Sequence, residues 1–217
     1  MLKISGKYGF LVMALTMGAC SGGDKDSTSD GTSDSTSDSG SGQALQGADI
    51  AGGWVSTGCE AYDNGQGGEN YLTRSFDLTD STWGLDLVIY GDAACSYPLF
   101  SIRIDGPYSL GARSTVVDGA TEGTFGFASN VWTALDQGMA DTFTGAGCGA
   151  EPWTVGTPQD VSGTGCIGVA HPIAECPEEY DVIALSGGQL FFGERVTDMC
   201  QTSGRPTALN SYGLDSK

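Results

Sequence analysis

The sequence of 217 residues is poor in the groups that most chemistry needs. It has a single histidine, His171, followed at once by Pro172. A Ser–His–Asp arrangement would have to use that one imidazole, and no Gly-x-Ser-x-Gly elbow accompanies it. There is no Cys-x-x-Cys pair, and one histidine does not complete a structural zinc site, so no metal is expected. Glycine-rich stretches such as Gly145-Ala146-Gly147 lack the following lysine of a phosphate loop, and they read as turns. The pair Glu178-Glu179 beside Pro177 reads as a solvated turn. No enzyme activity and no cofactor are expected.

Positive charge is equally scarce, at 9 Lys and Arg against 27 Asp and Glu. Nucleic acid is excluded as a partner, because affinity for it comes from basic side chains neutralising phosphates. Peripheral binding to anionic lipid is excluded for the same reason. Long apolar runs are missing too, since no stretch has the ~20 apolar residues of a membrane span.

What is present begins with a leader. Lys3 and Lys7 form a basic region, Phe10 to Met17 a short apolar core, and Met17-Gly18-Ala19 brings small residues up to Cys20. This pattern is that of a secretory signal, and it resembles the bacterial lipoprotein type, in which the cysteine is acylated and becomes the new N-terminus. Met17 stands where that type usually has leucine. Cys20 is therefore the expected lipid attachment and membrane contact. Each buried methylene of such an anchor contributes roughly 0.8 kcal/mol. The expected division is a signal peptide over 1–19, a tether over 20–45 and a folded domain over 46–217. Loss of Lys3 and Lys7 with the leader makes the mature chain more acidic still.

The tether is Ser, Asp, Thr and Gly, with Thr-Ser-Asp recurring at 28–30, 32–34 and 36–38. Nothing in it can form a core. A flexible chain of this length spans on the order of 25 Å. Ser21 is compatible with outer-membrane sorting, so a bacterial outer-membrane lipoprotein, facing the periplasm or the cell surface, is expected.

The remaining cysteines, Cys59, Cys95, Cys148, Cys166, Cys176 and Cys200, are an even set in an exported chain and read as three disulfides. Six cysteines allow 15 connectivities. Sequential pairing would close three short-to-medium loops, each worth roughly 3–4 kcal/mol.

From Ile50 onward, period-two alternation dominates. Trp83, Leu85, Leu87 and Ile89 alternate with Gly84, Asp86, Val88 and Tyr90, and Phe100, Ile102 and Ile104 with Ser101, Arg103 and Asp105. Phe125 and Phe127 alternate with Thr124 and Gly126. Such runs between glycine-rich turns predict eight to ten antiparallel strands, each with one buried face. Only Ala128 to Ala140 has the look of a helix. A sheet of that many strands must hide its inner face and edges, so it closes into a barrel or folds into a sandwich.

Two details favour an all-β, antiparallel, lipocalin-like barrel. Gly52-Gly53-Trp54 resembles the opening signature of lipocalin-type ligand barrels, where the tryptophan plugs one end. Arg74 shares a face with Leu72, Phe76 and Leu78, so alternation turns a guanidinium inward, where it must be paired. Glu60, on the face of Trp54, Ser56 and Gly58, is one mate; Glu122 and Glu151 are the others.

Trp54-Val55-Ser56 with Cys59-Glu60, Leu72-Thr73-Arg74, Cys95 with Pro98 and Phe100-Ser101-Ile102 resemble the adenomatosis polyposis coli down-regulated 1 family. The resemblance is densest at "CGAEPWTVGTPQDV", residues 148–161, followed by Cys166. It also takes in Gly119 to Glu122, "QLFFGER" at 189–195 and Arg205-Pro206. It implies an extracytoplasmic β-barrel and the pairs Cys59–Cys95 and Cys148–Cys166, and Cys176 and Cys200, which depart from the animal pattern, are left to each other. Animal members are membrane-anchored Wnt antagonists whose barrels offer an apolar cavity to an acyl chain. They carry the domain twice and end in a transmembrane helix, whereas this sequence shows one copy and an N-terminal lipid site, and a bacterial cell has no Wnt. No protein partner is indicated.

The resulting expectation is a membrane-tethered binding protein whose barrel holds an acyl chain or similar apolar ligand. Its expected lining is Trp54, Phe76, Trp83, Leu85, Leu87, Phe100, Ile102, Phe125 and Phe127, with Glu60 and Arg74 as polar partners. The alternative is a surface recognition or adhesion module with a packed barrel, presenting aromatic residues such as Tyr62, Tyr71 and Tyr97 on loops.

Overall fold

The alternating runs become strands in the computed structural model, which describes residues 43–63, 68–167 and 169–217. The expected signal peptide, Cys20 and nearly all of the expected tether lie outside the described residues. Glu69–Leu78 (β3), Thr82–Tyr90 (β4) and the first part of Pro98–Arg113 (β5) form an antiparallel meander. Its register runs Arg74 to Leu87 to Ile102. Thr79 sets the β3–β4 turn, its hydroxyl accepting from the amides of Ser81 and Thr82 at 3.3 and 2.9 Å.

Gly52–Ser56 (β1), Thr121–Gly126 (β6), Glu178–Ser186 (β9), Gln189–Phe192 (β10) and Leu214–Ser216 (β11) complete a closed eight-stranded antiparallel barrel. Around it the order is β3, β1, β11, β10, β9, β6, β5, β4 and back to β3. The strand β11 closes the ring by lying between β1 and β10.

Three further strands stand off this ring. Glu60–Asp63 (β2) pairs with the start of β3. Ser129–Ala134 (β7) pairs with the first half of β5, and Pro158–Asp160 (β8) pairs with β7. The sheet therefore forks along β5, a strand of 16 residues. Its end pairs with β6 inside the barrel, and its beginning pairs with β7 outside the ring. Gly106 sits at the fork, where a Cβ would lie 1.9 Å from the carbonyl oxygen of Gly126, so no larger residue lets the two branches meet.

The helix expected over 128–140 is displaced. Asn130, Trp132 and Ala134 are buried while Val131 and Thr133 are less so, a period of two that makes this stretch β7. The helix α2 spans Gln137–Ala146 instead; α1 is the short Gly47–Ile50. Asp136 starts α2 by accepting from the amides of Gly138 and Met139 at 2.8 and 3.2 Å, and Gly147, at φ 71°, ends it. Glu178 and Glu179, expected in a solvated turn, open β9.

Two of the three apolar clusters bound the interior of the molecule. One gathers Ile50, Trp54, Leu78, Trp83, Tyr108, Phe125, Ile183, Leu190 and Leu214 and closes one end of the barrel. Trp54 donates its indole N–H to the carbonyl of Ile50 at 2.8 Å, so α1 and the tryptophan form the plug together. The other gathers Phe100, Trp132, Phe143, Trp153 and Val161 beneath α2. Three disulfides, Cys59–Cys95, Cys148–Cys166 and Cys176–Cys200, tie the connections down. Among the described residues no helix is long and apolar enough to cross a membrane.

Candidate functional site

Between the two clusters the barrel is hollow. A cavity of about 530 Å³ opens at the end opposite Trp54. Its aromatic floor is Phe76, Trp83, Phe125 and Phe192, which belong at the same time to the packed end; Phe76 stacks on Phe192 with centroids 4.5 Å apart. Its walls are Leu72, Leu85, Leu87, Ile89, Ile102, Ile104 and Phe127. Leu72, Leu85, Leu87, Ile89 and Ile104 face inward yet are only half-buried, because one side of each borders the cavity. Over the mouth lies the segment between Cys166 and Cys176, which contributes Val169, Ala170, His171 and Ile173. Disulfides hold both ends of that segment, one to Cys148 and one to Cys200.

A buried ion pair is set into the wall. Alternation turns Arg74 inward, and the chain reversal between β1 and β2 brings Glu60 to it, with Nε to Oε2 at 2.9 Å. Glu60 is 2% exposed and also accepts from the hydroxyls of Ser56 at 2.6 Å and Tyr62 at 2.9 Å. Arg74 donates Nη2 to the carbonyl of Tyr212 at 3.0 Å. A pair so bonded meets the condition under which charge is tolerated away from water. Burial pushes the Tyr62 phenol up to about 12, with Arg74 opposing and Glu60 adding to the shift, so Tyr62 remains a donor to Glu60 at all ordinary pH.

A second polar group lies at the other side. Asp181, on β9, is 5% exposed and accepts from the amides of Val182 at 2.7 Å and Gly193 at 2.9 Å through Oδ1. Burial pushes its carboxyl up to about 6, against the pull of Arg195. Arg195 pairs with Glu179 at 2.6 Å near the mouth. Among the described residues no three His, Cys, Asp or Glu side chains converge as a metal site.

Of the expected lining, Phe76, Trp83, Leu85, Leu87, Ile102, Phe125 and Phe127 border the cavity, as does Arg74. Three residues do not. Trp54 is spent on the plug, and Glu60 lies behind Arg74. Phe100 stacks on Trp132 and meets Phe143 edge-on at 5.3 Å, because α2 folds over that end of β5. The other mates considered for Arg74 lie elsewhere: Glu122 is 3.7 Å from Arg205, and Glu151 is exposed. Tyr62 and Tyr71 are in strands β2 and β3, so of the three tyrosines only Tyr97, 53% exposed, is on a loop.

Sequence reasoning passed over Leu72, Ile89 and Ile104, although each shares a period-two face with residues it selected. It also missed Asn130, Asp181, Arg195 and the mouth segment. Asp181 had a signal, since it alternates with Ile183 on the inner face of β9. The mouth segment had none, because no periodicity runs through it.

The geometry is that of a disulfide-tied barrel, plugged at one end and hollow and apolar toward the other. The family model for adenomatosis polyposis coli down-regulated 1 matches residues 35–145, and the chain belongs to that family. Membership and barrel together are consistent with an extracellular binding module. The matched region starts inside the expected tether and ends before the 148–161 motif, so β1 to β7 and nearly all of α2 lie within it.

Proposed function

We propose that the protein is a membrane-tethered extracytoplasmic binding protein that holds an acyl chain or similar apolar ligand in the open half of its barrel. The observation that carries this reading is the void of about 530 Å³ walled by half-buried leucines and isoleucines. Ligand pockets span roughly 300–1,000 Å³ and are mostly apolar with a few placed polar groups. Each methylene moved from water into such a wall contributes about 0.8 kcal/mol. In this reading the protein acts by binding and has no catalytic role.

The tether rests on the sequence. Acylation at Cys20 anchors the chain to a bacterial outer membrane, facing the periplasm or the cell surface, and the acidic spacer holds the barrel clear of the headgroups. Three disulfides support an oxidising compartment.

The test is to purify the protein from its native membrane, extract it with organic solvent and analyse the extract by mass spectrometry. The acyl group on Cys20 stays covalent and is not counted. One mole of extractable lipid per mole of protein is expected, together with saturable binding of a fluorescent fatty-acyl probe to stripped protein. Leu87→Trp, which fills the void, abolishes probe binding while leaving the fold intact. Absence of both lipid and probe binding overturns the reading.

A further inference from the structure

Three side chains more than nine-tenths buried line the cavity, and each has one polar atom with no partner among the described residues; no fully buried side-chain polar atom there is unpaired, so these three atoms keep some contact with water. Arg74 spends Nε and Nη2 on Glu60 and Tyr212, and Nη1 donates no hydrogen bond. Asn130 accepts from the Trp132 indole at 2.8 Å through Oδ1, and its Nδ2 is unengaged. Asp181 spends Oδ1 on two backbone amides, and its Oδ2 is unengaged. They stand on three different walls, β3, β7 and β9.

A pure hydrocarbon would strip water from these atoms and give nothing back, and an unmade hydrogen bond on a buried group carries its full desolvation cost. The polar part of the ligand therefore enters the barrel. Two of the open atoms are donors and need an oxygen acceptor, and the third is an acceptor and needs a hydroxyl or another donor.

Charge narrows the class further. Arg74 is matched by Glu60, and Arg195, which also attracts Asp181, forms its ion pair with Glu179, so with Asp181 ionised these five groups carry one negative charge in excess. Of the other ionisable groups near it, His171 and Tyr62 line the cavity, and Arg205 bonds the carbonyl of Asp181 from outside. A fatty-acid carboxylate would add a second negative charge to a low-dielectric enclosure. A cationic amphiphile would satisfy Asp181 but leave the donors of Arg74 and Asn130 unpaired.

We infer that Asp181 makes the cavity selective for neutral acyl lipids carrying both a carbonyl and a hydroxyl, of the monoacylglycerol type, over fatty-acid anions of the same chain length. This rests on the reading of the cavity as a lipid site.

The test uses the full chain, stripped of lipid, with 1-monopalmitoylglycerol and palmitate competing for one fluorescent probe at pH 7.5. The wild type binds the glycerol ester at least about tenfold more tightly, equivalent to about 1.4 kcal/mol. Asp181→Asn keeps an oxygen for the amides of Val182 and Gly193 and removes the charge. It narrows the preference by tightening palmitate. Lowering the pH toward 5 tightens palmitate in the wild type more than in this variant, a comparison in which the fatty acid's own protonation cancels. Palmitate binding as tightly as the ester in the wild type overturns the inference, with no variant needed, and so does an unchanged preference in Asp181→Asn. Failure of both lipids to compete overturns the lipid reading itself, and the inference with it.

Discussion

The two ends of this barrel are made from the same kinds of residue and do opposite things. At the closed end Trp54, Leu190, Ile183 and Leu214 are at most 7% exposed. At the open end Leu72, Leu85, Leu87 and Ile89, equally apolar and equally inward, are half-exposed around a void. The difference lies in what reaches each end. The closed end receives α1 and the Trp54 indole, whereas on the open side α2 packs onto Phe100 and Trp132 and stops short of the axis. Inward direction is a property of a strand, and filling is a property of what lies across from it. The Arg74–Glu60 pair is set into the wall between the two regimes.

The largest expected effect comes from breaking that pair. Glu60→Ala leaves a buried guanidinium uncompensated and costs about 3–5 kcal/mol of stability in denaturant unfolding. Replacing both partners together with Glu60→Leu and Arg74→Met recovers most of that loss. A single substitution costing nothing would mean that the wall between the two ends does not depend on the pair.

Next comes the packed end. Leu190→Ala opens a cavity among residues that do not collapse around it and lowers stability by about 3 kcal/mol.

Asp181 comes third, and its sign is distinctive. Its carboxyl sits at about 6 in the fold against 3.8 ordinarily, so the folded chain binds the proton more tightly than the unfolded chain. Its contribution to stability is highest below the ordinary value and falls as pH rises from about 4 to about 6, by about 3 kcal/mol at most. Asp92, Asp136 and Asp160 are shifted the other way, chiefly by hydrogen bonds from Ser96, Tyr97 and Ser162. Their contributions have the opposite sign, falling as pH falls, so they do not produce the slope assigned to Asp181. Asp181→Asn removes that slope in urea midpoints measured from about pH 4 to about pH 6 and is the more stable protein at pH 7.

The smallest effect is at the hollow end. Leu87→Ala removes methyl groups that already face a void, so it costs under about 1 kcal/mol while weakening acyl-probe binding. Equal losses for Leu87→Ala and Leu190→Ala would erase the distinction between the ends.

Much of this was legible in the strand pattern. The faces of β3, β4 and β5 follow from alternation alone, and so does the inward turn of Arg74. Glu60 was on the right face for it, although the two are joined across a chain reversal rather than along one strand. The helix was misplaced because Val131, Trp132 and Leu135 mimic a helical spacing, while burial of Asn130, Trp132 and Ala134 obeys the strand period. Phe100 was misassigned because α2 folds back over it, a contact spanning some forty residues of sequence. Asp181 was passed over because it leads into Val182, Ile183 and Ala184, a run that reads as core.

By itself the sequence determined which residues face inward, that a guanidinium stands among them, and that the folded part is built of antiparallel strands. These follow from a period of two, which each strand carries locally. Tertiary structure alone decided that the sheet closes into a barrel, that part of its interior is empty, and that Trp54 and Phe100 are not part of the wall. Those outcomes depend on which segment arrives opposite each side chain, and that is a matter of closure and distant contacts that no local periodicity encodes.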